Sequence, residues 1–241
     1  TAARSARKNA AANRMTDSNF RFKAIDWHRE RHELTHPLSA TWVSNGNGIR
    51  RDEPRDLETE LDGYLSVRDK LLDGLAAKNP EHFIESLIKA QSQLCPETAS
   101  GIRTESVGLQ RGTDSVSVKF GDARQVPVRL EALFNDQKLS KLPRAMRALA
   151  TMAVLLNIHP FADGNGRCAR ALFNAVLSAA SESLLSTYVP LKAIFMASDA
   201  GFEIRLRDTE TNGNWAPVVA YFTSVFRTLA HAHEEAANIA Q

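Results

Sequence analysis

Two apolar segments of helical period, broken by a short polar turn, constrain this chain more than any other feature. Met146, Leu149, Ala150, Ala153, Val154 and Leu156 mark the first segment, and Ala171, Leu172, Val176 and Leu177 mark the second. Between them runs His159-Pro160-Phe161-Ala162-Asp163-Gly164-Asn165-Gly166-Arg167-Cys168-Ala169-Arg170. A tight loop between two buried helices therefore carries a histidine, a carboxylate, two glycines and two arginines. That mixture is chemical rather than structural.

Gly164 and Gly166 flank Asn165, so the backbone can reach positive φ and turn successive N–H groups inward, as an anion nest does. The helix that follows starts at about Asn165 to Arg167, and a helix N-terminus carries positive partial charge. Arg167 and Arg170 are three apart and share a face of its first turn. Two guanidiniums, a nest and a helix N-terminus together suit a polyphosphate. Asp163 is an acceptor beside the nest, placed to hold a Mg²⁺ that bridges phosphate oxygens. His159 ends the preceding helix and is the nearby group whose ordinary pKa suits taking a proton near neutrality.

This stretch resembles the Fic motif, His-x-Phe-x-Asp/Glu-Gly-Asn-Gly-Arg-x-x-Arg, at every specified position. The resemblance implies a mostly α-helical Fic-fold bundle with a small β-hairpin flap. It makes His159 the general base toward a target hydroxyl, which attacks the α-phosphate of a nucleoside triphosphate in line. By the same resemblance Asp163 is the metal ligand, Mg²⁺ the cofactor and ATP the co-substrate. Gly164, Asn165 and Gly166 cradle the phosphates, with Asn165 near the α-phosphate. Arg167 and Arg170 bind the β- and γ-phosphates and stabilise the pyrophosphate leaving group. Asn174, one turn beyond Arg170, fits the family's nucleotide-holding Asn. Phe161 is expected to point into the core. The implied function is protein adenylylation on a Ser, Thr or Tyr hydroxyl. Transfer of UMP, phosphocholine or phosphate by the same motif is the alternative, as is a Fic toxin restrained by a separate antitoxin.

At 241 residues the chain has room for one domain of about 200 residues plus an appendage. A net charge of +2 argues against a nucleic-acid-binding surface. Cys95 and Cys168 make no disulfide framework and favour a reducing compartment, so a cytoplasmic location is expected, including a host cytoplasm if the protein is a secreted effector. Cys168 fills a variable motif position and reads as packing. No apolar run reaches the ~18 residues of a membrane span. The chain begins without Met and reads as an excised fragment.

Residues 1–54 read as a basic arm, a helix from Phe20 to His36 and a loop-rich joint; residues 55–241 read as the catalytic domain. His28, His32 and His36 recur every four residues, but they lack the HExxH pattern and read as a surface stripe. His231 and His233 do not share a face. Many Fic proteins carry an inhibitory Ser/Thr-x-x-x-Glu-Gly/Asn helix whose Glu pairs with the second motif arginine. The nearest match, Thr41 to Gly46, has Asn45 in place of the Glu, and no Glu of the chain is followed by Gly or Asn. The sequence therefore reads as lacking that built-in brake, with a separate inhibitor as the alternative restraint.

Helices are expected at Leu57 to Lys78, with Leu57, Leu61, Leu65 and Leu72 inward and Asp56 as N-cap, and at Pro80 to Leu94, with Phe83, Leu87, Ile88 and Leu94 inward. Val116, Val118 and Phe120 alternate with Ser117 and Lys119, which predicts a strand after a turn at Gly112 to Asp114. By resemblance the region of about 103–126 is the flap, where a target protein docks by strand addition. Pro127 to Phe134, Leu184 to Ala197, Phe202 to Thr211 and Trp215 to Ile239 complete the expected helices, the last with Val218, Val219, Phe222, Phe226 and Leu229 inward. Many AMP-transferring relatives have a Tyr-Tyr pair near the nucleobase. Around Phe202-Glu203 this chain has none, so base identity is less defined by sequence than phosphate chemistry.

Overall fold

The computed structural model describes residues 34–35, 37, 57–109, 118–179, 188–198 and 200–239. The basic arm, most of the Phe20 to His36 segment, the Thr41 to Gly46 segment, Asp56 and residues 110–117, which include the expected turn at Gly112 to Asp114, lie outside the described residues. The chain divides into two compact units. One comprises Glu58–Arg111 with Ser115–Leu184; the other comprises Thr1–Leu57, Gly112–Asp114 and Leu185–Gln241.

The first unit is a helical assembly around one long hairpin of helices. Helix α1 (Leu57–Leu75) buries Leu61, Tyr64, Val67 and Leu71. This is the expected helix with a rotated face: Leu65 and Leu72 are half-buried, and Tyr64 takes an inward position instead. An aromatic hydroxyl can go there because Tyr64 Oη lies 3.2 Å from Ser178 Oγ, so its polar tip is satisfied in the core. Helix α2 (Pro80–Leu94) starts where Asn79 accepts a 2.9 Å bond from the His82 N–H and Pro80 fills the first turn. Its inward face is Phe83, Leu87, Ala90 and Gln91, with Ile88 and Leu94 half-buried.

Gly108–Leu109 (β1) and Val118–Lys119 (β2) pair antiparallel, Gly108 opposite Lys119 and Leu109 opposite Val118. The pairing is two residues long on each side, shorter than the alternation from Val116 to Phe120 predicts. A 3₁₀ turn at Ala123–Gln125 then leads into α3 (Val126–Asn135) and α4 (Gln137–Lys141).

Helices α5 (Arg144–Ile158) and α6 (Asn165–Ser178) form the central hairpin and pack against each other more extensively than any other described pair. Both are apolar over most of their circumference, as a helix enclosed by neighbours must be. In α5 the run Ala148 to Ala153, Leu155 and Ile158 are buried, while Met146, Val154 and Leu156 are half-buried. In α6 the expected Ala171, Leu172, Val176 and Leu177 are all buried, together with Phe173 and Cys168. Each such Leu or Phe taken wholly from water contributes about 2 kcal/mol. Helix α2 packs on α3 and α6, and α3 on α5, so the loop joining α5 to α6 rests on a rigid base.

The second unit contains α7 (Leu191–Ala197), α8 (Gly201–Asn212) and α9 (Ala216–Ile239). Phe195 and Phe202 stack with centroids 4.0 Å apart, and Tyr221 and Phe222 meet them obliquely or edge-on. Arg205 sits 5.3 Å over the Tyr221 ring and donates to the carbonyls of Leu34 (2.9 Å) and Thr35 (3.0 Å). Gly213, at φ +67°, ends α8 in the left-handed region, in the gap between the helices expected at Phe202 to Thr211 and Trp215 to Ile239. No described helix is long and apolar enough to cross a membrane.

Candidate active site at the loop between α5 and α6

Helix α5 does not fray at its end. His159 caps it with φ +50° and ψ +62°, a left-handed conformation uncommon for a residue with a Cβ, while its N–H still donates to Leu155 O at 3.0 Å. That reversal turns the imidazole out of the helix. Its Nδ1 lies 3.3 Å from Leu156 O; a carbonyl can only accept, so Nδ1 carries the proton and Nε2 keeps a free lone pair. The Phe120 ring stacks on the imidazole at 3.6 Å and 12°. The His159 pKa is pushed down to about 4, chiefly by burial with the neighbouring Arg103 adding to it, against the opposing pull of Leu156 O and Asp163. The sequence suggested a base titrating near neutrality. The structure shows one held neutral well below it, because a ring covered by Phe120 cannot hydrate its charged form.

After Pro160 the loop folds around Asn165. The Asn165 carboxamide accepts from the Phe161 N–H and donates to Phe161 O, both at 2.9 Å. Phe161 is fully buried, as the resemblance implies. The Asn165 side chain is thus committed to the loop itself; what it offers an anion is its backbone N–H, one of the orphan donors of the first turn of α6. Gly164 caps α6 at φ +84°, and a Cβ on it would overlap Cys95 Sγ, so glycine is required there twice over. Cys95 and Cys168 are both buried free thiols, in line with a packing role.

Asp163 is 66% exposed at its side chain, with Oδ1 accepting the Gly164 N–H at 2.6 Å and Oδ2 3.6 Å from Arg167. Arg167 donates to Leu94 O (2.9 Å) and pairs with Glu97 (3.0 Å). Arg170 makes a fork-like pair with Glu60 of α1, Nε to Oε2 at 3.1 Å and Nη2 to both oxygens at 3.0 Å, with the two side chains only 15% and 11% exposed. Asn174 is buried and donates to Arg170 O at 3.1 Å, one turn back. His159, Asp163, Gly164, Asn165, Gly166, Arg167 and Arg170 thus share one loop and helix start, and Asn174 lies inside the helix behind them. No cluster of three or more metal-ligating side chains occurs among the described residues.

Three residues here carried no sequence signal. Glu60 is followed by Leu61 and does not fit the inhibitory Glu-Gly/Asn pattern, yet it supplies Arg170 with a carboxylate partner. Phe120 read as one position of a strand. Arg103 was unmarked, although it is nearly buried and bonds the carbonyls of His159 (2.6 Å), Glu105 (2.9 Å) and Gly121 (2.6 Å). Buried charge at a non-periodic position is invisible to pattern reading.

Fold and loop together define a helical domain built on a histidine-capped turn that opens onto an anion-receptive helix start. Residues 83–177 match the Fic/DOC family. A curated relative, protein adenylyltransferase Fic from Nematostella vectensis, is 50% identical over 48 residues; the match spans 18% of this chain and 11% of the relative. Among solved structures, a Fic family protein from Desulfovibrio desulfuricans superposes with a TM-score of 0.58 at 15% identity, over 98% of this chain and 75% of that one. Fic-1 from C. elegans gives 0.51 at 18% identity, over 99% of this chain and 73% of that one. The last two establish likeness of fold. The segment at residues 83–177, which holds the whole loop and the start of α6, is thus similar to the Fic/DOC family.

Proposed function

We propose that this chain is a Mg²⁺-dependent protein adenylyltransferase that moves AMP from ATP to a Ser, Thr or Tyr hydroxyl of a target protein. The observation that carries the reading is the 3.3 Å contact between His159 Nδ1 and Leu156 O: a carbonyl accepts, so the proton sits on Nδ1 and Nε2 is left as the acceptor. The name of the Nematostella relative supports the adenylyl donor.

The target hydroxyl gives its proton to His159 Nε2 as its oxygen bonds to the α-phosphorus, and the bond from that phosphorus to the bridging oxygen breaks, releasing pyrophosphate. The first N–H groups of α6 face the phosphates, and Arg167 and Arg170 take up charge as it grows on the leaving group. Both arginines are held by their own chain's carboxylates, Glu97 and Glu60, so the polyphosphate must displace or share those pairs. Asp163 fits a Mg²⁺ site of the kind completed by substrate: one exposed hard-oxygen ligand, with phosphates and water supplying the rest. When bound, that ion neutralises phosphate charge. The short β1–β2 pair stands as the dock for the target segment, and the other partners are the nucleoside triphosphate and any separate inhibitor.

Intact-mass analysis after incubation with Mg²⁺ and each of ATP, UTP, GTP and CTP, with and without candidate target proteins, tests this. An added AMP from ATP, lost in His159→Ala while ATP binding persists, is expected. A different added nucleotide, a bare phosphate or a phosphocholine would move the donor assignment. Near-normal transfer by the His159→Ala variant would end the mechanism.

A further inference from the structure

Arg103 is 5% exposed, and its guanidinium donates to three backbone carbonyls. A guanidinium presents its donors in a rigid planar fork, so three carbonyls from three segments are held at fixed angles by one side chain. Nε grips His159 O, the carbonyl of the left-handed turn. Nη1 grips Glu105 O on the rising side of the hairpin, and Nη2 grips Gly121 O on the returning side. The backbone adds a fourth tie, since the Arg103 N–H donates to Pro160 O at 2.9 Å. Phe120, next to Gly121, is itself bonded through its N–H to Val107 O at 3.1 Å and lays its ring on His159.

We infer that Arg103 is a positioning residue of the transfer reaction, a strap that locks the base turn at His159 to both feet of the β1–β2 hairpin so that base and docked target keep one register. The inference rests on the reading of His159 as base and the hairpin as dock. Two features of the geometry favour it over simple reinforcement. A left-handed non-glycine residue is strained and persists only where its surroundings over-determine it; Arg103 holds the carbonyl of that residue, His159. The strap also spans both hairpin feet, whereas a bond to either one would suffice to stabilise the loop. Lysine keeps the charge but presents a single point donor and cannot hold three carbonyls in one plane.

The test uses Arg103→Lys and the unaltered protein. The variant is expected to melt cooperatively and to bind Mg²⁺·ATP with unchanged Kd, while kcat falls about 100-fold, the scale of a misplacement near 1 Å. Unchanged kcat, or an equal loss of ATP affinity that accounts for the fall, overturns the strap. Native-state hydrogen exchange on the unaltered protein supplies a second measurement that depends on neither a variant nor an activity. The Arg103, Phe120 and Phe161 amides are expected to open with one common free energy, as parts of one cooperative unit. A Phe120 amide that exchanges far faster than Phe161 overturns the strap even where the variant does not fold. Absence of transfer in the unaltered protein, with common-unit exchange intact, counts against the enzymatic role alone.

Discussion

Keeping His159 neutral beneath Phe120 makes the fold sensitive to acid in a window set by one side chain. In the folded chain the ring titrates at about 4 against an ordinary 6.5. Between those values the unfolded chain binds a proton that the folded chain refuses, so stability falls as pH drops through 6.5 and levels off only below about 4. At pH 5 the cost is about 2 kcal/mol, from about 1.5 pH units at 1.36 kcal/mol each, and its full extent below pH 4 is about 3 kcal/mol. The facing charges divide as described: Arg103 deepens the effect, while Asp163 and the Leu156 carbonyl reduce it. Urea denaturation at pH 7.5 and pH 5, of the wild type and of His159→Gln, isolates the contribution. Glutamine does not titrate, so whatever stability the substitution itself costs cancels in the comparison between pH values. The wild type should lose about 2 kcal/mol more than the variant across this interval. Equal losses would refute the burial argument, and with it the view that Phe120 keeps water from the imidazole.

Two other substitutions probe the loop's surroundings. Glu60→Gln removes the carboxylate from a nearly buried pair, so stability should fall by about 3 kcal/mol while ATP affinity rises, because Arg170 no longer has a competing anion; calorimetric titration alongside thermal melts reads both, and weaker ATP binding in a folded variant would argue that the pair shapes the phosphate site. Gly164→Ala should destabilise by about 3 kcal/mol through combined overlap with Cys95 and a disallowed φ. Adding Cys95→Ala should return the overlap part only, and full recovery by denaturation would show that the left-handed conformation was not a constraint.

The central helices and their loop were legible because periodic burial and a contiguous motif both leave marks along the chain. Ala171, Leu172, Val176 and Leu177 are inward as their spacing requires. The face of α1 was read less well. Leu65 and Leu72 are apolar enough to look inward, but Tyr64 takes an inward place through its bond to Ser178, more than a hundred residues away, which no local window contains. Glu60 was hidden for the same reason: its partner Arg170 is close only after folding. Asn165 was recognised as important but its side chain serves the loop's backbone, a distinction between holding a substrate and holding a turn that residue identity alone does not make.

That closed ring between Asn165 and Phe161 has a practical consequence. The loop's shape is fixed from the inside, whereas Ala162 projects outward and is exposed. Both native thiols are buried, and burial pushes that of Cys168 well above its ordinary value, so neither competes for a thiol-directed reagent. A single Ala162→Cys substitution would therefore admit a fluorophore or spin label between the base and the phosphate cradle without stripping the native cysteines, and would turn the loop into its own reporter of ligand arrival.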